Sequence, residues 1–317
     1  MLHASRILAL GALAAVVAPV VPAAANPPGI VLAQRMNPRP GNEARQQDQY
    51  LDVLKKVRSE CGNAAWTLWH SNSYDRWRKN RSSMLSMHYN TSSYQTLPPV
   101  PDAWPDAVRT KAESAIKRGN DTVREAGTTF KELANYINAK DYEDDKFKKG
   151  DELNQKLLAA GKECHAIETE LTGLYTEMAT TLIDQRKGSA ANPDVANTMI
   201  ADWQKARGLA QELAKFDKAD PAKLDTLVKE ISSLVEDRRA NFAALKENPD
   251  TWVKRFYESA LNDDVAVKMR RYLRDAKGAK GFKEMAEDRP RSNFWSVRSE
   301  IEIDLPDSIL RYIQSGK

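Results

Sequence analysis

Three long stretches of this chain place apolar residues alternately four and three positions apart, a spacing that admits little except long helices packed along their length. Residues at such intervals share one stripe of an α-helix. The first stripe is Tyr50, Leu54, Val57, Cys61, Ala64 and Leu68. The second is Ala112, Ile116, Gly119, Val123, Ala126, Phe130, Leu133 and Ile137, and the third is Leu153, Leu157, Ala160, Cys164, Ile167, Leu171, Leu174 and Met178. A repeat near 3.5 keeps each stripe facing its neighbours at a shallow angle. Helices of about 35 to 40 residues would be about 50 to 60 Å long. The pattern predicts an all-α fold, an elongated bundle of long antiparallel helices over 42–188. In an up-down-up order the first and third helices run parallel, and Cys61 and Cys164 come level if the first helix begins near Asn42.

Prolines and caps punctuate the rest. Leu97-Pro98-Pro99-Val100-Pro101 separates the first two stripes, and the second helix is expected to open at Asp102 with Pro105 in its first turn. Asn192-Pro193, Asp220-Pro221 and Asn248-Pro249 each set a capping side chain before a proline at the first helical position, where its missing N–H costs nothing. Three further helix starts are therefore expected in a second half, 189–317. Their stripes include Val195, Met199, Ala206 and Leu213; Leu224, Val228, Ile231 and Leu234; and Trp252, Phe256, Ala260 and Leu273. Near the end, Ile301, Ile303 and Leu305 alternate as in a strand.

The first residues have the parts of a secretory signal. Arg6 precedes the uncharged apolar run Ile7 to Ala18, and Ala23-Ala24-Ala25 offers small residues for cleavage before Asn26. Residues 1–25 are expected to be removed and 26–41 to form a Pro-rich lead, placing the protein in the periplasm or outside the cell. The alternative is an uncleaved anchor, but Pro19, Pro22, Pro27 and Pro28 interrupt any spanning helix, so no stable transmembrane segment is expected after cleavage. Export permits Cys61 and Cys164 to form a disulfide. Closing a loop on the order of 100 residues would contribute about 4 to 5 kcal/mol in the chain-entropy picture. Two buried free thiols are the alternative.

The run Phe130-Lys-Glu-Leu-Ala-Asn-Tyr136, then Lys140-Asp-Tyr-Glu-Asp-Asp-Lys-Phe147, Lys149-Gly150 and Leu153 to Ala160, resembles the YiiG-like family of bacterial envelope proteins. The likeness extends from about Phe130 to Leu182, with Tyr74-Asp-Arg-Trp77 also similar. It implies an exported, helical protein of unknown function, often lipid-anchored, although no lipidation Cys follows the apolar run here. It supplies no catalytic residues. Separately, His165-Ala-Ile-Glu168 is similar to the His-x-x-Glu motif of imelysin-type periplasmic proteins, which implies iron association in a helical bundle. Glu163-Cys164 stands where that motif has a preceding glycine.

Residues three apart share a helix face, so His165 and Glu168 could ligate one cation; two ligands do not make a site, and a solvent-facing pair is the expectation. No nucleophile elbow, phosphate loop, zinc-ligand pairs or dinucleotide fingerprint occurs, so neither an enzyme nor a cofactor is expected. The acidic residues Asp141, Glu143, Asp144 and Asp145 lack the spaced ligands of a calcium loop and suit the positive start of the third helix. Trp66, Trp69, Tyr74 and Trp77, beside Arg76, Arg78, Lys79 and Arg81, could stack on sugars and hold acidic substituents; core packing is the simpler expectation.

The chain carries 48 Lys and Arg against 44 Asp and Glu, so its charge is nearly balanced overall. Between Lys268 and Lys283, by contrast, Lys268, Arg270, Arg271, Arg274, Lys277, Lys280 and Lys283 face a single acid, Asp275. On a helix several of these fall three or four apart and form one basic face. Such a face suits an anionic envelope surface or a partner protein. Nucleic acid is excluded as a partner by export. The sequence reading is thus an exported helical binding or scaffold protein, with an imelysin-like metal-binding protein using His165 and Glu168 as the alternative.

Overall fold

The three apolar stripes become three long helices in the computed structural model, which describes residues 40–70, 73–81, 101–214, 221–245, 250–278 and 297–315. Helix α1 (Pro40–Ala64) runs on through a π-helical turn, Ala65–His70, and is followed by the short α2 (Tyr74–Lys79). Helix α3 (Asp106–Ala139), the single turn α4 (Tyr142–Asp145) and α5 (Lys148–Arg186) complete the spine. Every residue of the first stripe is buried, as are Ala112, Ile116, Leu133, Leu157, Cys164, Ile167, Leu171 and Met178. The described residues contain no strand, and the fold is an all-α bundle.

The direction of the helices differs from the up-down-up expectation. Asp48 meets Arg186, Arg58 meets Thr172, Gly62 meets Glu168, and Trp69 packs on Gly161, so α1 and α5 are antiparallel. Trp104, just before α3, packs on Tyr50 with ring centroids 5.8 Å apart and donates its indole N–H to the Met178 carbonyl at 3.1 Å. Farther along α3, Gly119 lies against Val57 and Cys61. Helices α1 and α3 therefore run parallel, the start of α3 lying beside the starting end of α1. Gly119 allows the approach: a β-carbon there would come within 2.7 Å of Val57 Cγ1 and 3.1 Å of Cys61 Sγ.

Helix boundaries follow their hydrogen bonds. The second long helix opens at Asp106, not Asp102, since Pro105 accepts from Val108 and Arg109; Asp102 instead pairs with Arg109 at 2.7 Å. Asp145 matches the expected role of an acid at the start of the third helix. Its carboxylate accepts from the N–H groups of Phe147 and Lys149, both at 2.9 Å, and from the Tyr136 hydroxyl at 2.6 Å, contacts that hold its pKa below the usual carboxylate range.

In the second half, α6 (Pro193–Ala214) is capped by Asn192 Oδ1, which accepts from Asp194 and Val195, and α7 (Pro221–Ala244) begins at its expected proline. Asp220 and Asn248 lie outside the described residues. Helix α8 (Thr251–Lys254) starts two residues beyond Pro249, because Asp250 caps it through the Trp252 N–H at 2.7 Å; a π turn, Arg255–Ala260, and α9 (Asp263–Gly278) follow. Val228 is 38% exposed, and Leu227 takes the core position expected of it. Ile301, Ile303 and Leu305 are all buried, but on a π turn, Glu300–Asp304, leading into α10 (Leu305–Ser315) rather than on a strand. Helix α10 packs on α5, α6 and α8, so that Pro40–Lys317 is one compact unit. Among the described residues no helix is long and apolar enough to cross a membrane; residues 1–39, with the expected signal and all of the expected Pro-rich lead but Pro40 and Gly41, which open α1, lie outside them.

Candidate functional site

The expected solvent-facing His165–Glu168 pair instead belongs to a buried polar cluster, with His165 at its edge. Its core is Glu168 on α5, whose side chain is 3% exposed. Glu168 Oε1 lies 3.6 Å from Arg58 Nη2 of α1, and Oε2 has no hydrogen-bond partner among the described residues. Arg58 donates from Nε to Thr172 Oγ1 at 2.8 Å and from Nη2 to Ser299 Oγ at 2.9 Å. One guanidinium thereby joins α1, α5 and the C-terminal segment. Burial outweighs attraction for both charges. It pushes the Glu168 carboxyl up to about 7 against the pull of Arg58 and Arg298, and it lowers the Arg58 pKa despite Glu168, Asp304 and Glu302.

His165 is half-buried one turn away, its ring 5.6 Å from Trp69 of the π turn after α1. Desolvation, with a smaller contribution from Arg298, lowers its pKa. No group of three His, Cys, Asp or Glu that could hold a metal occurs among the described residues. The positive neighbours of Glu168 are Arg58 and Arg298, which repel a cation; nothing in this geometry favours the metal reading. The expected disulfide is not formed. Cys61 and Cys164 are free buried thiols, close enough to hydrogen-bond but not at bonding distance. That hydrogen bond, then burial, and then nearby carboxylates raise the Cys61 pKa well above the usual thiol range.

On α9 the basic residues divide. Lys268 is half-buried and ion-paired with Glu300, so it ties α9 to the C-terminal π turn and is not part of an open face. Arg270, Arg271 and Arg274 are exposed, while Val265, Ala266, Met269, Tyr272 and Leu273 on the other side enter the core. The amphipathic division puts three guanidinium groups on one outward face. Lys277 belongs to α9, its side chain outside the description; Lys280 and Lys283 lie outside the described residues.

The aromatic residues late in the first stripe go mostly to packing. Tyr74 and Trp77 are buried, and Trp66 and Trp69 are half-buried. The tertiary fold adds two rings that the sequence reading did not join to them, Tyr142 and Phe147, which stack at 5.2 Å and 12°. Trp77 stands edge-on to Tyr142 at 5.3 Å, and the Arg81 guanidinium lies against all three. Nearby, Gly150 lets Tyr74 and Tyr136 close onto α5, since a β-carbon there would strike Tyr74 Oη at 2.4 Å and Tyr136 at 2.6 Å.

These features define an all-helical protein with a three-helix spine, a buried arginine–glutamate cluster and an arginine-lined outer helix. The chain belongs to the family described as "Protein of unknown function (DUF3829)", which matches residues 109–296, more than half its length. No curated protein and no solved structure matches it.

Proposed function

We propose that this chain is an exported, YiiG-like envelope protein without catalytic activity, which binds an anionic surface of the envelope through α9. The signal-like residues 1–25 support export, and the resemblance over Phe130 to Leu182 supports the kinship. The observation that carries the binding reading is the row Arg270, Arg271 and Arg274, exposed together on a helix whose opposite side is core. Guanidinium groups suit phosphate and carboxylate because their planar donors bind two oxygens at once. Each basic residue near an anionic membrane contributes about 1 kcal/mol, and salt weakens the attraction by shortening the Debye length.

The test is co-sedimentation with anionic lipid vesicles and, separately, with anionic cell-wall polymer, at low and high salt. Binding at low salt that fades at high salt and is lost in Arg270→Glu, Arg271→Glu, Arg274→Glu supports the reading; the two arms tell lipid from polymer. Absence of binding to either at low salt, or binding unchanged in the triple variant, refutes it.

A further inference from the structure

All the positive-φ residues of the described chain other than glycine fall in the one connection between α3 and α5: Lys140 (φ 62°), Lys146 (φ 53°) and Phe147 (φ 74°). A left-handed conformation is especially uncommon for a bulky side chain such as phenylalanine, and such strain persists only where surrounding contacts enforce it. Here Asp145 enforces it, gripping the N–H groups of Phe147 and Lys149. In this conformation the Phe147 ring stacks on Tyr142, and Trp77 stands steeply to both, at 81° to Tyr142 and 70° to Phe147.

A cation already lies against this cluster of rings. Arg81 Cζ is 4.7 Å from the Phe147 centroid, 4.9 Å from Tyr142 and 5.9 Å from Trp77. Its neighbour Arg78 also lies over Phe147, at 5.3 Å, but is fixed by Asp151 at 2.7 Å. Arg81 has no ion pair among the described residues and is exposed. Ring faces attract it through their quadrupoles, which favour broad, weakly hydrated cations over compact, strongly hydrated ones. A contact of this kind at an exposed position shifts an equilibrium by only about two- to fivefold per ring. Arg81 is therefore held chiefly by being tethered nearby, and a tethered group acts at an effective concentration on the order of millimolar.

We propose that Trp77, Tyr142 and Phe147 form a recognition site for a weakly hydrated organic cation, a guanidinium or quaternary ammonium group, which Arg81 fills in cis until such a ligand displaces it. The site is separate from the α9 face and does not depend on it. Its free form is reached by removing Arg81, and its rings by changes at the half-buried Tyr142 and Phe147.

The full chain carrying Arg81→Ala is titrated calorimetrically with tetramethylammonium and with N-acetylarginine amide, against sodium at the same ionic strength. Saturable millimolar binding of either cation is expected, at least fivefold weaker in the unmodified chain, and the cation that binds identifies the source. Adding Phe147→Gly should abolish it; glycine suits the left-handed backbone, so the ring is removed without new strain. Tyr142→Ala in the Arg81→Ala background repeats the test, with thermal melting of each variant reporting the fold. If Arg81→Ala binds neither cation beyond the sodium control, or if binding survives loss of both rings, the site does not exist.

Discussion

Glu168 lies flat against the backbone of Gly62, so close that a β-carbon at position 62 would come within 2.5 Å of Oε1 and 2.8 Å of Cδ. The carboxylate is the mobile end of its side chain, but it is buried beside Arg58 and has little room to shift. Gly62→Ala is expected to cost about 1–3 kcal/mol, the range for overpacking a filled interior. A double-mutant cycle with Glu168→Ala checks the cause. If the two changes add independently, the contact is not what makes glycine necessary.

The same burial makes stability depend on pH. With its pKa pushed up to about 7, Glu168 holds in the folded state a proton that it has released in the unfolded chain at neutral pH. Between the ordinary glutamate range and about pH 7 the folded state binds more protons, so this group's contribution falls as pH rises through that window. The whole effect is on the order of 3 kcal/mol for a shift of this size. His165 acts in the opposite sense at the acid end, because its pKa is lowered and the unfolded chain binds its proton more readily. Denaturant unfolding at pH 5, 6, 7 and 8 is expected to show a shallower loss toward alkaline pH in Glu168→Gln than in the unmodified chain. Parallel profiles would mean that the carboxyl is not desolvated as the geometry requires.

Cys61 and Cys164 are expected to be silent toward alkylating reagents in the folded protein. The reactive species is the thiolate, and for Cys61 a buried thiol with a raised pKa forms almost none. Both should react once the chain is unfolded in denaturant without reductant. Mass spectrometry counts the labels: none native and two unfolded fits two thiols, whereas none in either state would reveal a disulfide.

The parts of this fold that depend on periodicity were legible in sequence. Stripes such as Tyr50 to Leu68 specify a helix and its buried face because backbone geometry alone sets which residues align. Direction was not legible. Whether α1 runs with α3 or with α5 is decided by side-chain fits such as Gly119 on Val57 and Trp104 on Tyr50. The burial of Glu168 was hidden for a similar reason: its spacing from His165 shows a shared face, but Arg58 is 241 positions from the Ser299 that helps enclose it. A usable signal did exist in the glycines at 62, 119 and 161, which interrupt helical runs where another element approaches closely. The division of the basic residues on α9 follows the helical period for Arg270 and Arg274, whereas the loss of Lys268 to Glu300 is a tertiary event.

Asp202 provides the strongest test of how the second half is joined. Its buried carboxylate accepts two bonds from Asn241 of α7, at 2.9 and 3.0 Å, and one from the Tyr257 hydroxyl at 2.7 Å. Tyr257 stands in the π turn after α8, and its carbonyl in turn accepts from Arg238 of α7 at 2.9 Å. A single acid thus holds α6, α7 and that turn together. Asp202→Ala removes three acceptor contacts at once, leaving the buried Tyr257 phenol without its partner at about 1–3 kcal/mol and the half-buried Asn241 amide without its own. Tyr257→Phe removes one donor and leaves the carboxylate its two bonds to Asn241, so its cost is expected to be about 1 kcal/mol. The order of the two variants is the test, measured by denaturant midpoints at one pH. If Asp202→Ala is no worse than Tyr257→Phe, the three elements are held by their apolar packing and the carboxylate is incidental to it.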